Sequence, residues 1–131
     1  IVPAVGDMSY EDMFCESSLM VTDFSGIQFD FAYMRKPLVY LHHKDIPQHY
    51  EEGTFHYDTM AFGEITHDND ELIELLIDYM AHDCVMKEEY RKRADDFFAF
   101  NDNNNCQRIY DIMIDYQHRV IDPSRLPSAK E

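Results

Sequence analysis

The sequence predicts an α/β fold in which a short parallel sheet is flanked by helices and followed by a helical C-terminal end. Two short, continuous apolar runs, residues 19–21 and 38–41, are typical of strands that are covered on both faces. A helix-like stretch separates them, as a parallel connection requires. From residue 68 onward the apolar residues recur at helical spacing. With 131 residues, 45% of them hydrophobic, the chain is long enough for one domain with a core.

The N-terminal elements come first. Residues 1–5 are a candidate strand. Ser9 followed by Asp12 is a helix N-cap with an acidic residue three positions later, and this pattern predicts a short helix that runs to about Cys15. The chain opens without a methionine, so we expect it to be a piece of a longer protein.

The central elements form one strand–helix–strand unit. The strand Leu19–Val21 is followed by a turn of small residues and by a helix over Ile27–Met34. Pro37 ends that helix, and Leu38–Leu41 is the next strand. Residues 42–62 break this alternation of strands and helices. The segment is too long for an ordinary connection, which indicates a loop with a function or a flap.

The remaining elements are one strand and several helices. Residues 63–65 are a last short strand. Asp68 and Glu71 form a capping box for the next helix, and residues 86–98 are a charged helix with a salt-bridged solvent face. A polar break at 101–105 precedes a final helix, and 121–131 is a flexible tail. The expected inner face of the helix after Asp68 comprises Leu72, Ile73, Leu76, Tyr79 and Met80.

The net charge of −15 limits the class of partner. Binding to nucleic acid depends on Lys and Arg against phosphate, so we expect no nucleic-acid partner. A polybasic contact with anionic lipid through this part of the molecule is disfavoured for the same reason. The three cysteines form no CxxC pair and are predicted to be reduced, small core residues. No apolar stretch approaches the ~18 residues of a membrane span.

The turn between the first two central strands is the main candidate site. Its sequence, Thr22-Asp23-Phe24-Ser25-Gly26, lies after a strand end and before a helix, where α/β proteins hold phosphate. Gly26 lets a ligand approach the backbone, and Ser25 can cap the helix or donate its hydroxyl. Asp23 would repel phosphate, so we expect it to orient the turn or to contact a donor group on the ligand. An ordinary capped turn is the alternative.

Other residues carry weaker signals. Asp30, inside the helix after the turn, could accept hydrogen bonds from a ribose, or simply face solvent. Histidines 42, 43, 49 and 56 cluster in the long loop with several acids, yet no HExxH or comparable spacing indicates zinc. Surface histidines are the simpler interpretation, and one of them could still act as an acid or base.

Several separated segments resemble one family. SYEDMF, SSLMVTDFSGIQFDFAYMRKPLVYL, YEEGTFHYD and KEEYRKRADDFFAFNDNNNCQRIYD occur in the order found near the C-terminal end of the CDP-glycerol:poly(glycerophosphate) glycerophosphotransferases. These are the primases and polymerases of teichoic acid synthesis. The resemblance covers about residues 7–116.

The resemblance implies a GT-B architecture, of which this chain would be the Rossmann-like, donor-binding C-terminal half, over residues 1–120. Such enzymes transfer glycerol phosphate from CDP-glycerol to a lipid-linked acceptor and release CMP. The acceptor site and the membrane contact would lie in a missing N-terminal domain. The full enzyme would be cytoplasmic and peripheral at the inner face of the membrane. No cofactor and no metal are implied beyond the CDP-glycerol substrate.

The family's T-D-Y-S-S element falls on residues 22–26 and implies that Thr22, Asp23, Ser25 and Gly26 bind the donor diphosphate. Gly26 replaces the second serine, which removes one hydroxyl and keeps the backbone N–H. The family's catalytic histidines are expected upstream of Ile1, and their role is not transferred to His42 or His43. Asp30 would contact the nucleoside.

Two alternatives remain open. The same stretch is similar to the T-D-S-G-G-I-Q-E-E element of UDP-N-acetylglucosamine 2-epimerases, another GT-B group, so a UDP-sugar enzyme is the first alternative. The second is a non-catalytic acidic module that binds a protein through the aromatic loop at 42–62.

Overall fold

The structure, a computed structural model, describes residues 9–45 and 53–121. The predicted strand at 1–5, the tail after 121 and His49 in the long loop lie outside the described residues. The chain divides into two compact units between Ala99 and Phe100. We describe each unit separately.

The first unit is built on a three-stranded parallel sheet, in agreement with the predicted α/β class. Its strands are β1 (Met20–Thr22), β2 (Leu38–Leu41) and β3 (Gly63–Thr66), in the order β1-β2-β3. Val39 of β2 pairs with Val21 on one side and Glu64 on the other. Leu38, Val39 and Tyr40 are fully buried, because the central strand is covered on both faces.

Helix α1 (Tyr10–Glu16) is held at both ends by side chains. Ser9 and Asp12 form the predicted capping box, with the Asp12 N–H 3.1 Å from the Ser9 hydroxyl. At the other end the Lys36 ammonium donates to the carbonyls of Phe14, Cys15 and Ser17 at 2.5, 3.0 and 2.7 Å. A cation at a helix C-terminus satisfies carbonyls that have no partner within the helix.

Helix α2 (Gln28–Tyr33) crosses between β1 and β2 and is shorter than the predicted 27–34. Its inner side carries Gln28, Phe31 and Ala32, at the i, i+3, i+4 spacing of one helix face. Phe31 and Ala32 join a core that is rich in aromatic side chains, among them Tyr40, Phe55 and Phe62.

In the described residues of the long interruption, 42–45 and 53–62, there is one helical turn, α3 (Tyr57–Met60). Two aromatic residues that flank α3 point inward: Phe55 is 8% exposed and Phe62 is fully buried. The expected display of aromatic side chains for a protein partner is therefore wrong for these two residues. Phe55 and Phe62 belong to the hydrophobic core, where they contribute to the apolar cover of the sheet.

Helix α4 (Asn69–Ala81) is capped by Asp68, whose carboxylate accepts from the N–H groups of Asp70 and Glu71. The reciprocal half of the predicted capping box does not form. The Glu71 carboxylate instead accepts from the Thr66 hydroxyl at 2.5 Å, while the Asp68 N–H donates to that same hydroxyl oxygen. Thr66 thus ties the end of β3 to the start of α4.

The predicted inner face of α4 is only partly correct. Tyr79 is buried and Leu72 and Leu76 are half-buried, but Ile73 and Met80 are 53% and 61% exposed. Since successive residues turn by about 100°, a contact centred on 72, 76 and 79 leaves 73 and 80 at its edge. The Tyr79 hydroxyl donates to Glu64 of β3 at 2.7 Å and anchors the helix to the sheet.

Helix α5 (Glu88–Phe97) has the predicted salt-bridged face, with Arg91 paired to Glu88 and Lys92 to Asp96. Its Tyr90 is buried. Just before the helix, Lys87 bonds to the carboxylate of Glu64, and this hydrogen bond raises the pKa of Lys87.

The second unit contains helix α6 (Asn105–Ile121), which matches the predicted final helix. Arg108 lies 3.7 Å from the Phe100 ring centroid and pairs with Asp102, which closes the turn before the helix. Cys15 and Cys106 are exposed and free, so the prediction that the cysteines are core residues is wrong for these two. Both lie on helix positions where no apolar neighbour covers them.

Candidate functional site

The candidate site lies at the carboxyl edge of the sheet. Because β1, β2 and β3 are parallel, Thr22, Leu41 and Thr66 end on the same edge. The segments that follow them therefore share this edge, which is where open α/β sheets bind ligands. The turn at 23–27 follows β1, His42 follows β2 and His67 follows β3.

The turn presents its predicted residues in different environments. Thr22 is buried, Ser25 is half-buried, and Asp23 and Gly26 are exposed. Ser25 does not cap α2, whose N-cap residue is Ile27. The Ile27 N–H reaches the Ser25 hydroxyl only at 3.5 Å, the long limit of a hydrogen bond. The hydroxyl is therefore only weakly engaged by the protein.

Gly26 leaves open space above the backbone. Its φ is not positive, so no conformational strain demands a glycine here. A Cβ built on Gly26 would meet no atom within 4 Å. This space is available to a ligand that approaches the main chain, as the sequence predicts.

A cavity of about 350 Å³ opens beside the turn. Four aromatic residues, Phe24, Phe29, Phe55 and Tyr57, line it together with Gly26 and Gln28. Of the five predicted site residues only Gly26 is in this lining. Asp30 is exposed on α2 and lies outside the lining, since the cavity side of the helix is taken by the two preceding residues.

A chain of buried polar groups fixes the cavity wall. The Phe62 N–H donates to the Tyr40 hydroxyl at 3.3 Å, and that hydroxyl donates to the Gln28 side-chain oxygen at 2.8 Å. The Gln28 amide nitrogen donates to the Tyr57 hydroxyl at 3.0 Å. Burial raises the pKa of Tyr40, so the phenol stays neutral and keeps its proton for Gln28. We call these four residues the Gln28–Tyr40 network.

Sequence reasoning missed most of this wall. The inward position of Gln28 could have been found, because it precedes Phe31 and Ala32 at i+3 and i+4 on one helix face. The contributions of Phe55 and Tyr57 had no such signal, because the long interruption shows no periodicity.

His42 packs against the turn. Its ring stacks on Phe24 with centroids 4.0 Å apart and an interplanar angle of 16°, and the Tyr57 ring meets it edge-on at 4.8 Å. Burial lowers the pKa of His42, while a hydrogen bond to the backbone of Asp23 opposes that shift. The family's catalytic role was not transferred to His42 or His43, although the sequence left open that one loop histidine acts as an acid or base. His42 packs against the turn.

Two kinds of feature are absent from residues 9–45 and 53–121. There, no three His, Cys, Asp or Glu side chains lie close enough together to hold a metal ion. In the same part of the chain no helix is both long enough and apolar enough to cross a membrane.

Comparison with known proteins identifies the family. The family model described as CDP-Glycerol:Poly(glycerophosphate) glycerophosphotransferase matches residues 1–115. Over 113 residues the chain is 36% identical to the minor teichoic acid biosynthesis protein GgaB of Bacillus subtilis (strain 168). That alignment covers 86% of this chain and 12% of GgaB, so the chain spans a small part of its relative. No solved structure matches. The chain belongs to the CDP-glycerol:poly(glycerophosphate) glycerophosphotransferase family.

Proposed function

We propose that this chain is the donor-binding region of a glycerophosphotransferase that uses CDP-glycerol in teichoic acid synthesis. The observation that carries the proposal is the family match across residues 1–115 together with the open backbone at Gly26 beside a cavity. The relative's printed name links it to teichoic acid biosynthesis. The transfer reaction, its acceptor and the membrane location of the whole enzyme are part of this proposal.

In the proposed reaction an acceptor hydroxyl attacks the phosphorus that carries glycerol and gives its proton to a base in the part of the enzyme upstream of Ile1. The bond from this phosphorus to the bridging oxygen breaks, and CMP leaves with that electron pair. Main-chain N–H groups around Ser25 and Gly26 would bind the diphosphate and stabilise the charge that develops on CMP. Because α2 has only six residues, we assign this stabilisation to local N–H groups and the Ser25 hydroxyl rather than to a long helix dipole.

The other predicted site residues have supporting roles in the proposed function. Asp23, exposed at the mouth of the turn, would contact a hydroxyl of the ligand, and buried Thr22 would fix the end of β1. Asp30 remains the proposed ribose contact only if the nucleoside extends beyond the cavity along the exposed side of α2. The lipid-linked acceptor would be held by a part of the enzyme outside this chain.

The test is a titration of the 131-residue chain with CDP-glycerol, followed through the amide signals of Ser25, Gly26 and Ile27 by NMR. We expect these three signals to move first and to saturate together. If they do not move at millimolar ligand, this chain does not bind the donor. Competition with a UDP-sugar distinguishes the alternative nucleotide, because a UDP-sugar enzyme would release CDP-glycerol at equal concentration.

Substitutions at Gly26 sharpen the test. Gly26→Val places a branched side chain in the open space and should abolish the amide shifts, whereas Gly26→Ser restores the hydroxyl of the family motif and should preserve or strengthen binding. The Cβ of either new side chain meets no atom within 4 Å apart from its chain neighbours, so we expect both variants to fold. Equal affinity in both variants would show that the ligand does not approach this backbone.

A further inference from the structure

The place of His42 connects two parts of the candidate site. It follows β2 directly, yet its ring packs against both Phe24 of the turn and Tyr57 of α3, whose own rings are 5.5 Å apart. A stacked ring pair at 4.0 Å constrains both partners. The orientation of Phe24, and with it the turn, therefore depends on where the His42 ring lies.

The two ring nitrogens of His42 are in different environments. Within the described residues, Nε2 of His42 is the one buried side-chain nitrogen or oxygen atom that has no hydrogen-bond partner. The backbone of Asp23 favours the protonated ring and partly offsets the effect of burial. A neutral imidazole whose Nε2 carries no proton fits this arrangement, because an unprotonated Nε2 needs no acceptor.

A second proton would not fit. It would sit on Nε2, where it would be a buried N–H of a charged ring without an acceptor, and such a group is costly. The groups that face the ring from the surrounding elements are Asp23, Tyr40, Tyr57 and His67. None of them is hydrogen-bonded to Nε2. A positive charge on His67 opposes protonation of His42, whereas the negative charge of Asp23 favours it.

We propose that His42 is a positioning residue of the donor site, which in its neutral form holds the 22–26 turn in the shape that presents the Gly26 backbone to the cavity. The contacts that do this are the stack on Phe24 and the edge-on contact with Tyr57. Protonation of His42 moves the ring and releases the turn. The identity of the ligand rests on the function proposed above, whereas the coupling of the turn to His42 does not.

The coupling is tested first without ligand. In the 131-residue chain the His42 ring signals and the amide signals of residues 23–26 are followed by NMR from about pH 7.5 to about pH 5.5, the range in which a histidine titrates. We expect these amides to titrate together with His42, with a midpoint below about 6.5. Amides that stay still while His42 titrates would overturn the proposal, and so would a midpoint above the ordinary histidine value.

Two variants of His42 test whether its titration moves the turn, and a variant of a histidine in the second unit is the matched control. His42→Gln cannot be protonated and should remove the titration of the turn amides. His42→Phe keeps a ring on Phe24 without a charge or a hydrogen bond, so it should remove the titration even if Gln disturbs packing. His118→Gln, an exposed histidine of α6, should leave the titration unchanged. Persistence of the amide titration in both His42 variants would refute the role of His42.

The donor is then used as the probe. Its two phosphates form a diphosphate diester that remains fully ionised over this pH range, so changes in affinity report the protein. If only the neutral form binds, the dissociation constant for CDP-glycerol should rise by up to about tenfold at about pH 5.5 and stay flat in His42→Gln. Tighter binding at low pH would show instead that cationic His42 contacts the phosphates, which overturns the positioning role. If CDP-glycerol binds at no pH, the proposed function fails while the ligand-free titration still decides the coupling.

Discussion

Replacing Gly63 by alanine should strongly destabilise the first unit. Gly63 begins β3 and pairs with Leu38 of β2. A Cβ at this position would lie 1.8 Å from the Leu38 carbonyl oxygen and 2.6 Å from its carbonyl carbon. Both atoms belong to the backbone of the central strand, so no side-chain rotation can relieve the overlap.

The size of the effect follows from this geometry. The carbonyl oxygen would have to retreat by about 1.5 Å to reach ordinary van der Waals contact. A shift of that size separates two paired strands where Leu38 is fully buried. Overpacking in a core costs about 1–3 kcal/mol, and each ladder hydrogen bond that lengthens adds about 1 kcal/mol. We therefore expect Gly63→Ala to lower the free energy of unfolding by about 3–4 kcal/mol.

The assay is urea unfolding of the 131-residue chain, followed by circular dichroism, with Gly53→Ala as the matched control. A Cβ at Gly53 meets nothing within 4 Å, so this variant should stay within about 0.5 kcal/mol of the parent. An unfolding midpoint for Gly63→Ala equal to that of Gly53→Ala would refute the close approach of the two strands.

Three further predictions concern single contacts. Tyr40→Phe removes a hydroxyl that serves both Gln28 and Phe62 and should cost about 2–3 kcal/mol in urea unfolding, since two buried groups lose their partner; a change below about 0.5 kcal/mol would contradict the network. Lys36→Met removes three hydrogen bonds to carbonyls at the end of α1 and should speed amide hydrogen exchange in that helix but not in α5; equal exchange in parent and variant would argue against this cap. Because the folded pKa of His42 is lowered, the unfolded chain takes up the proton first as pH falls. The stability that this group contributes should be complete above about pH 6.5 and decline below it, and a parallel decline in His42→Phe would place the effect elsewhere.

The sequence was sufficient for the elements whose signal is local. The apolar run 38–41 coincides with β2, whereas the run 19–21 predicted β1 one residue early, since β1 ends on Thr22 and its Val21 is 43% exposed. Their parallel pairing followed from the helix between them. The Ser9 capping box formed as predicted because both of its members lie within one helical turn.

Local signals were misleading where a distant partner competed. Glu71 satisfies the capping-box pattern, yet it bonds to Thr66, because the end of β3 brings a hydroxyl within reach. Asp30 stays a predicted ribose contact, and it lies outside the cavity lining because packing against the core decides which face of α2 meets the cavity. Phe55 and Tyr57 reach the site through a loop without periodicity, and only the fold brings them to Gly26.

The Gln28–Tyr40 network has a consequence for how this family can change its sequence. The hydroxyl of Tyr40 and the amide of Gln28 satisfy one another at 2.8 Å inside the protein. An apolar residue at only one of the two positions leaves the polar group at the other buried without a partner. Apolar residues at both positions need not destabilise the protein. Related chains should therefore differ at these two positions together, so that a single pair of substitutions reshapes the wall of the cavity beside the turn.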